Sequence, residues 1–177
     1  MSASSHAQNS LLRPYTAGMP DPTVTAAREI VEESIEGIHG AILGLPVEAL
    51  NWRPSGEGTN PIAVLAVHAM HSTRSWLAVA LGAPLPDRDR DAEFRTVVAD
   101  PGQLLETVNQ LAADCRALLA TEDAFEPGTM RESHVRASSG RADVVSSAWA
   151  LLHAAEHVRE HLGHAQLTRQ LWEQREA

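Results

Sequence analysis

Residues 60–82 read NPIAVLAVHAMHSTRSWLAVALG, and this stretch predicts a long helix whose two ends are both marked. Asn60 is a favourable helix cap, and Pro61 is a favourable first residue of a helix. Gly82 readily adopts the left-handed conformation in which many helices end. Between these ends apolar residues recur at helical spacing, and His68 lies on the same face. The face that carries His68 is therefore expected to point into a protein core.

Three further helices are predicted before and after this one. The first begins at about Thr23, is capped by Thr23 or Thr25, and is stopped or bent by Pro46. The third begins at about Asp100, and the fourth begins near residues 142–143 and reaches almost to the C-terminus. Two long, charged connections separate the last three helices. The pattern is typical of a helical bundle.

The composition is that of one helical domain. The chain has 177 residues, of which 44% are hydrophobic but only 4% are aromatic, so small aliphatic side chains must fill the core. Such packing is natural between helices. Segments 94–98 and 134–138 could pair briefly as strands. We therefore expect an all-α four-helix bundle over residues 23–177, preceded by a flexible polar arm over residues 1–22.

The charge and the cysteine content exclude several classes of protein. The formal net charge is −9 and no basic run occurs, which argues against nucleic acid as a partner. All 14 basic residues are arginine, a bias typical of a GC-rich coding sequence. The single Cys115 cannot form an internal disulfide, which fits a reducing compartment. Because the N-terminus does not resemble a signal peptide and no apolar stretch could span a bilayer, we expect a cytoplasmic protein without membrane contact.

A stripe of histidines marks the last predicted helix. Its members follow one another at steps of four, four and three: His153, His157, His161 and His164. An α-helix turns by about 100° per residue, so His157 and His161 lie on one face, about 40° apart. The stripe is continued by apolar residues that are expected to be buried: Trp149, Leu167 and Leu171. A second apolar surface lies further round the helix and could contact a partner: Val158, Leu162 and Ala165.

The His157–His161 pair favours a metal site. Imidazoles one turn apart can both reach one ion, and His68 on another inward helix face supplies a third. Three neutral imidazoles with an open fourth position suit zinc, and also nickel, iron or copper. His153, His164 and Glu160 are candidates for a further ligand or for a hydrogen bond to a ligand. A purely structural stripe and a pH-responsive stripe are the alternatives.

Two segments resemble the DinB/YfiT-like family. One carries Asn51, Trp52, Arg53 and Pro54 ahead of a helix start, then a His eight residues before a Trp, here His68 and Trp76. The other carries His157 and His161 followed by a glycine and an arginine-bearing apolar tail. It departs from the family pattern in having His164 where glutamine is usual. The resemblance covers about residues 23 to 174.

The resemblance implies a fold, a metal and a chemistry. It implies an up-down-down-up four-helix bundle, a frequent homodimer, and one divalent ion on His68, His157 and His161. Zinc or nickel is expected, with iron, manganese or copper as alternatives. Family members with known activity are metal-dependent thiol S-transferases and a thiol-dependent maleylpyruvate isomerase, which use mycothiol, bacillithiol or glutathione.

We therefore expect a metal-dependent transferase that activates a low-molecular-weight thiol for attack on an electrophile. The candidates for holding the carboxylates of such a thiol are Arg53, Arg90 and Arg95. The arginine-only composition mildly favours mycothiol. The alternatives are a non-catalytic metal-binding stress-response protein and a metal-dependent hydrolase.

Overall fold

The computed structural model describes residues 21–121, 125–133, 135 and 143–175. Its elements in chain order are α1 (Pro22–Ile42), α2 (Val47–Leu50), a 3-10 turn (Gly56–Gly58), α3 (Ile62–Leu81), α4 (Arg90–Phe94), α5 (Pro101–Leu119), β1 (Met130–Ser133), β2 (Asp143–Ser146) and α6 (Ser147–Arg175). Of the predicted arm over residues 1–22, residues 1–20 lie outside the described residues. Asp21 and Pro22 belong to the start of α1. Within the described part of the chain, no helix is both long and apolar enough to cross a membrane.

Helix α3 lies at the centre of the fold. It packs against α1, α5 and α6, and α1 also packs against α5 and α6. Every residue of α3 except His71 and Arg74 is buried, because neighbours cover it on all sides. The predicted helical fold is thus confirmed in its main features, whereas the up-down-down-up order of the helices stays a prediction.

The helix ends follow the local signals with small shifts. Helix α5 begins at Pro101, and the Asp100 carboxylate caps it by accepting a hydrogen bond from the Gly102 backbone N–H at 2.8 Å. The carboxylate of Asp21, not the hydroxyl of a threonine, caps α1 by accepting from the Thr23 N–H at 2.7 Å. Helix α3 begins one residue later than expected, with Pro61 in the cap position.

A strand pair replaces the predicted start of the last helix. Residues 143–146 pair antiparallel with residues 130–133, so α6 begins at Ser147. The prediction of an all-α chain is therefore wrong in this detail, because the pairing partner is remote in sequence and local periodicity does not reveal it. Residues 94–98 form no strand, since Phe94 ends α4. Apart from Val135, the segment 134–138 lies outside the described residues.

The two apolar faces of α6 have the opposite roles to those predicted. The supposed partner surface is buried in the core: Val158, Leu162 and Ala165. The residues expected to be buried are instead 38%, 54% and 39% exposed: Trp149, Leu167 and Leu171. The core face is set by α1, which approaches so closely that a Cβ on Gly37 would lie 2.6 Å from Leu162 Cδ2. Periodicity alone could not choose between two apolar faces.

Gly82 ends α3 in a left-handed conformation, and we expect Gly82→Ala to lower the free energy of unfolding by about 1–2 kcal/mol. Its φ is +67°, and an added Cβ would lie 2.6 Å from the Arg131 guanidinium. Urea unfolding monitored by circular dichroism measures the loss. The matched control is Gly40→Ala within α1, where nothing lies within 4 Å. There the better helix propensity of alanine should stabilise the protein, so equal losses in both variants would contradict the prediction.

Candidate metal centre

Helices α3 and α6 bring three histidines together. Each of His68, His157 and His161 offers a ring nitrogen, and these atoms lie within 4.8 Å of one another. The Nε2 atoms of His157 and His161 are 3.3 Å apart, since the two rings lie one above the other on α6. The His68 ring on α3 lies 5.3 Å from the His157 ring and 5.0 Å from the His161 ring, between centroids. The three histidines could therefore hold one metal ion.

Burial keeps two of these imidazoles neutral. Desolvation, followed by the charges of His161 and His68, lowers the pKa of His157 to about 3. Desolvation, followed by His68 and His164, lowers the pKa of His161 to about 4. Neutral imidazoles have a free lone pair, which is the form that binds a metal ion. At neutral pH both rings are thus in the ligand state without competition from protons.

The donor atoms fit a divalent ion. The Nδ1 atoms of His157 and His161 are buried without a hydrogen-bond partner among the described residues, so Nε2 is the nitrogen of each ring that meets another polar group. Two nitrogens bound to one tetrahedral zinc at about 2.0–2.1 Å would be about 3.3–3.4 Å apart. The observed separation of 3.3 Å agrees with that spacing. Three imidazoles also leave a position open for another molecule, as in catalytic zinc sites.

A buried carboxylate contacts the Nδ1 atom of His68, and the sequence did not reveal this contact. Glu93 Oε2 lies 2.8 Å from His68 Nδ1, and Glu93 is only 4% exposed. Arg88 donates to both Glu93 oxygens, at 2.6 Å and 2.8 Å. Burial would raise the pKa of Glu93, but the hydrogen bonds from Arg88 and His68 outweigh it and lower the pKa to about 2. Glu93 is therefore ionised and can only accept from His68 Nδ1.

No spacing rule could have connected Glu93 to His68, since 25 positions separate them. The available signal was the dense charge of DRDRDAEFR, residues 87–95, which contains a helix too short to be recognised by its period. Asp89 caps this helix by accepting from the Ala92 N–H at 2.9 Å. This cap fixes the start of α4, the helix in which the buried Glu93 lies.

The other candidate ligands, His153, His164 and Glu160, lie outside the three-histidine group. His153 stacks on Trp149 with 4.7 Å between ring centroids, and its Nδ1 lies 3.1 Å from Glu156 Oε2. His164 is exposed, and its ring lies 5.9 Å from that of His161. Glu160 is also exposed. The arrangement therefore combines three imidazoles rather than four.

An open cleft of about 1140 Å³ leads to the centre. Its walls come from α3 (His68, Ser72, Ser75 and Trp76), from α6 (His153 and His157) and from residues 85–91, with Val135 at one side. Two of the three converging histidines thus face a space that a small molecule can enter. Cys115 is fully buried elsewhere, where desolvation raises the pKa of its thiol to about 12, as expected of an inert cysteine.

The three candidate arginines lie in different places. Arg90 lines the cleft, and its guanidinium lies 4.7 Å from the centre of the Phe94 ring. Arg53 donates to the Thr59 backbone oxygen and is not among the residues that line the cleft. Arg95 is exposed and does not line it either. The second arginine of the cleft wall is Arg88, which the sequence did not single out.

The low pKa values of His157 and His161 predict how the metal-free protein responds to acid. Between about pH 6.5 and the folded pKa values of about 3 and 4, these histidines are protonated in the unfolded chain but not in the folded one. The unfolded state binds more protons, so the free energy of unfolding should fall as the pH is lowered from 7 to 5. Urea unfolding with chelator present measures this fall.

The control for this response is a variant with both His157→Gln and His161→Gln. It should lose less stability between pH 7 and pH 5 than the original chain, because its two side chains do not titrate. Carboxylates contribute little to the difference in this range, since Glu93 and its unfolded counterpart are both ionised there. Equal falls in the two proteins would contradict the assigned protonation states.

Comparisons with known proteins agree with the geometry. A model of the family described as the DinB superfamily matches residues 30–165. A crystal structure of a conserved protein from Enterococcus faecalis superposes with a TM-score of 0.61 and 16% sequence identity, covering 84% of this chain and 95% of that one. At this identity the similarity concerns the fold alone. No curated protein matches the chain.

Proposed function

The chain belongs to the DinB superfamily, and from that premise we propose that it is a metal-dependent transferase that activates a low-molecular-weight thiol for attack on an electrophile. One observation carries the proposal: three imidazoles converge, and two of them, those of His68 and His157, line an open cleft. We propose His68, His157 and His161 as the ligands of one divalent ion, zinc or nickel before iron, manganese or copper. The up-down-down-up helix order and a homodimer are parts of the same proposal.

A bound divalent ion would supply a positive charge that favours the thiolate form of a thiol over its protonated form. The protein's own residues provide the surroundings for this chemistry. His68 and His157 face the cleft, and the buried Trp76 forms an apolar part of its wall. An apolar wall keeps water from part of the space in which a thiol and an electrophile would meet.

The thiol must come from a second molecule. Cys115, the single cysteine of the chain, is fully buried, and the pKa of its thiol is raised to about 12. Such a group is neither ionised nor accessible at neutral pH. A small thiol that enters the cleft is therefore the nucleophile that the proposal requires.

The charges along the cleft favour a thiol without carboxylates. Three aspartates line it, Asp87, Asp89 and Asp91, whereas Arg88 is engaged by Glu93. Arg90 is the one predicted arginine that remains on this surface. Apart from the bound ion, which would add two positive charges at the histidines, the side chains of the cleft wall present a carboxylate-bearing thiol with more negative than positive charge. The charge of the cleft wall therefore supports mycothiol, which is neutral, over glutathione or bacillithiol. This argument for mycothiol is stronger than the one from the arginine-only composition.

The test compares two thiols that differ only in one charge. With the metal-loaded protein and a bimane as electrophile, N-acetylcysteine amide should react several-fold faster than N-acetylcysteine, beyond the difference between the two in free solution. Mycothiol, bacillithiol and glutathione are measured in parallel. Asp91→Asn, an exposed cleft residue, should reduce the preference because it removes one repelling carboxylate. A faster reaction with the charged thiol would contradict the charge argument, and no accelerated reaction with any thiol would contradict the proposed function.

The proposed homodimer rests on the resemblance to relatives and not on Val158, Leu162 and Ala165. Those residues pack in the core of one chain and are at most 5% exposed. A dimer contact must therefore use another surface.

A further inference from the structure

A chain of three polar side chains, two of them buried and Arg88 partly buried, runs from the metal centre to the cleft wall. The side chains of His68, Glu93 and Arg88 are 6%, 3% and 11% exposed. We propose that Glu93, fixed by Arg88, is a positioning residue that holds His68 with Nε2 directed at the metal and thereby joins the metal centre to helix α4. This inference rests on the proposed function, in that it takes His68 as a ligand.

The hydrogen-bond geometry determines which nitrogen of His68 is free. Both Glu93 oxygens accept from the Arg88 guanidinium, as a carboxylate does, so the 2.8 Å contact with Glu93 Oε2 requires a proton on His68 Nδ1. The Arg88 guanidinium is 3.4 Å from the same nitrogen and can only donate, so it cannot substitute for the carboxylate. The nitrogen of His68 that can offer a lone pair to a metal is then Nε2.

Arg88 fixes the orientation of the Glu93 carboxylate by donating a hydrogen bond to each of its oxygens. Its Nε donates to Glu93 Oε1 at 2.6 Å and its terminal nitrogen donates to Oε2 at 2.8 Å. Such a two-point contact fixes the plane of the carboxylate. Oε2 is therefore shared between the guanidinium and His68, and the orientation of the ring follows from that of the ion pair.

Helix α4 contacts the His68 ring at a second point. The Phe94 ring, adjacent to Glu93 in sequence, lies 4.5 Å from the His68 ring between centroids. Arg88 and Asp89 precede the helix and line the cleft, and Asp89 caps the helix. A displacement of this wall would thus displace both groups that hold His68. Among the described residues, His157 and His161 have no comparable partner at Nδ1.

An ion pair between α3, the helix that carries His68, and α5 provides the control for a merely structural role. Arg74 of α3 donates to Asp114 of α5 at 2.7 Å, and both side chains are partly buried. The pair has the same chemistry as Arg88–Glu93 but does not contact His68, His157 or His161. Asp114→Asn should therefore affect stability without affecting the metal.

The experiment measures zinc affinity by competition with a chromophoric chelator, and the tautomer of His68 in the metal-free protein by ¹⁵N NMR. In Glu93→Gln, Arg88 competes for the single amide oxygen, which turns the amide nitrogen towards His68 Nδ1 and favours the wrong tautomer. We expect the zinc affinity to fall by about 10–100-fold, as for other groups that orient a ligand. The His68 proton should move from Nδ1 towards Nε2. Asp114→Asn should keep the affinity within about twofold and leave the tautomer unchanged.

The outcomes separate this inference from the function on which it rests. If the original chain binds no zinc, the proposed function fails. If it binds zinc and Glu93→Gln binds equally well with an unchanged His68 tautomer, the positioning role is overturned while the proposed metal site stands. Glu93→Ala, which removes the acceptor altogether, is the second variant and should show a loss of affinity at least as large. If Asp114→Asn weakens zinc binding as much as Glu93→Gln does, the effect is structural and the inference fails.

Discussion

Replacing any one of His68, His157 and His161 by alanine should reduce the bound metal from one ion per chain to almost none. Each replacement leaves two imidazoles. The loss of a hydrogen bond that supports a ligand lowers metal affinity by about 10–100-fold, and the loss of the ligand itself should lower it further. The measurement is elemental analysis of tag-free protein after dialysis against trace divalent metal. An affinity tag with histidines would obscure the result.

Two kinds of control variant make this test specific. His39→Ala on α1, a half-buried histidine outside the group of three, should keep the metal. His153→Ala and His164→Gln should keep it too, because those rings lie outside the group. Full metal content in all three alanine variants would refute the ligand assignment. Loss of metal in His164→Gln would indicate a closed site with four histidines, which is typical of a structural role.

Removing the metal should abolish accelerated thiol transfer. Free thiols have a pKa of about 8.5, so at pH 6.5 about 1% is ionised. A metal-dependent protein that secures the thiolate form should therefore react about 100-fold faster than its chelated form at that pH. Chlorodinitrobenzene or a bimane serves as the electrophile, and restoring the metal should restore the rate.

The acid limit of this activity should lie well below the ordinary pKa of histidine. Because the pKa values of His157 and His161 are lowered to about 3 and about 4, protons compete with the metal for these two rings only in that range. We therefore expect metal content and transfer to persist from pH 7 to about pH 5. Release of the metal near pH 6.5 from the original chain would contradict this expectation.

The same comparison distinguishes the alternatives. Equal rates with and without metal for mycothiol, bacillithiol and glutathione would favour a non-catalytic metal-binding protein. Metal-dependent turnover without any thiol would favour a hydrolase. A chelator that leaves thermal unfolding unchanged would favour a histidine stripe without metal, since an ion that binds only the folded chain must stabilise it.

Much of this protein was predictable because its signals are local. Gly82 and the Asp100 cap act within one helical turn, so the residues themselves determine where α3 ends and where α5 begins. His157 and His161 are one turn apart on any helix that contains them. Their proximity therefore follows from the helix alone, and the position of His68 on an inward face made it the natural third member.

The tertiary structure decided what depends on contacts between remote segments. Helix α6 carries apolar residues on two sides, and only the close approach of α1 at Gly37 determines that Leu162 faces the core. The strand pair before α6 likewise needs a partner from residues 130–133. Glu93 and Arg88 reach His68 only because a capped helical turn folds back over α3. Hydrogen bonds and close packing act over a few ångströms of space, and sequence spacing reports such distances only within a single helix or strand.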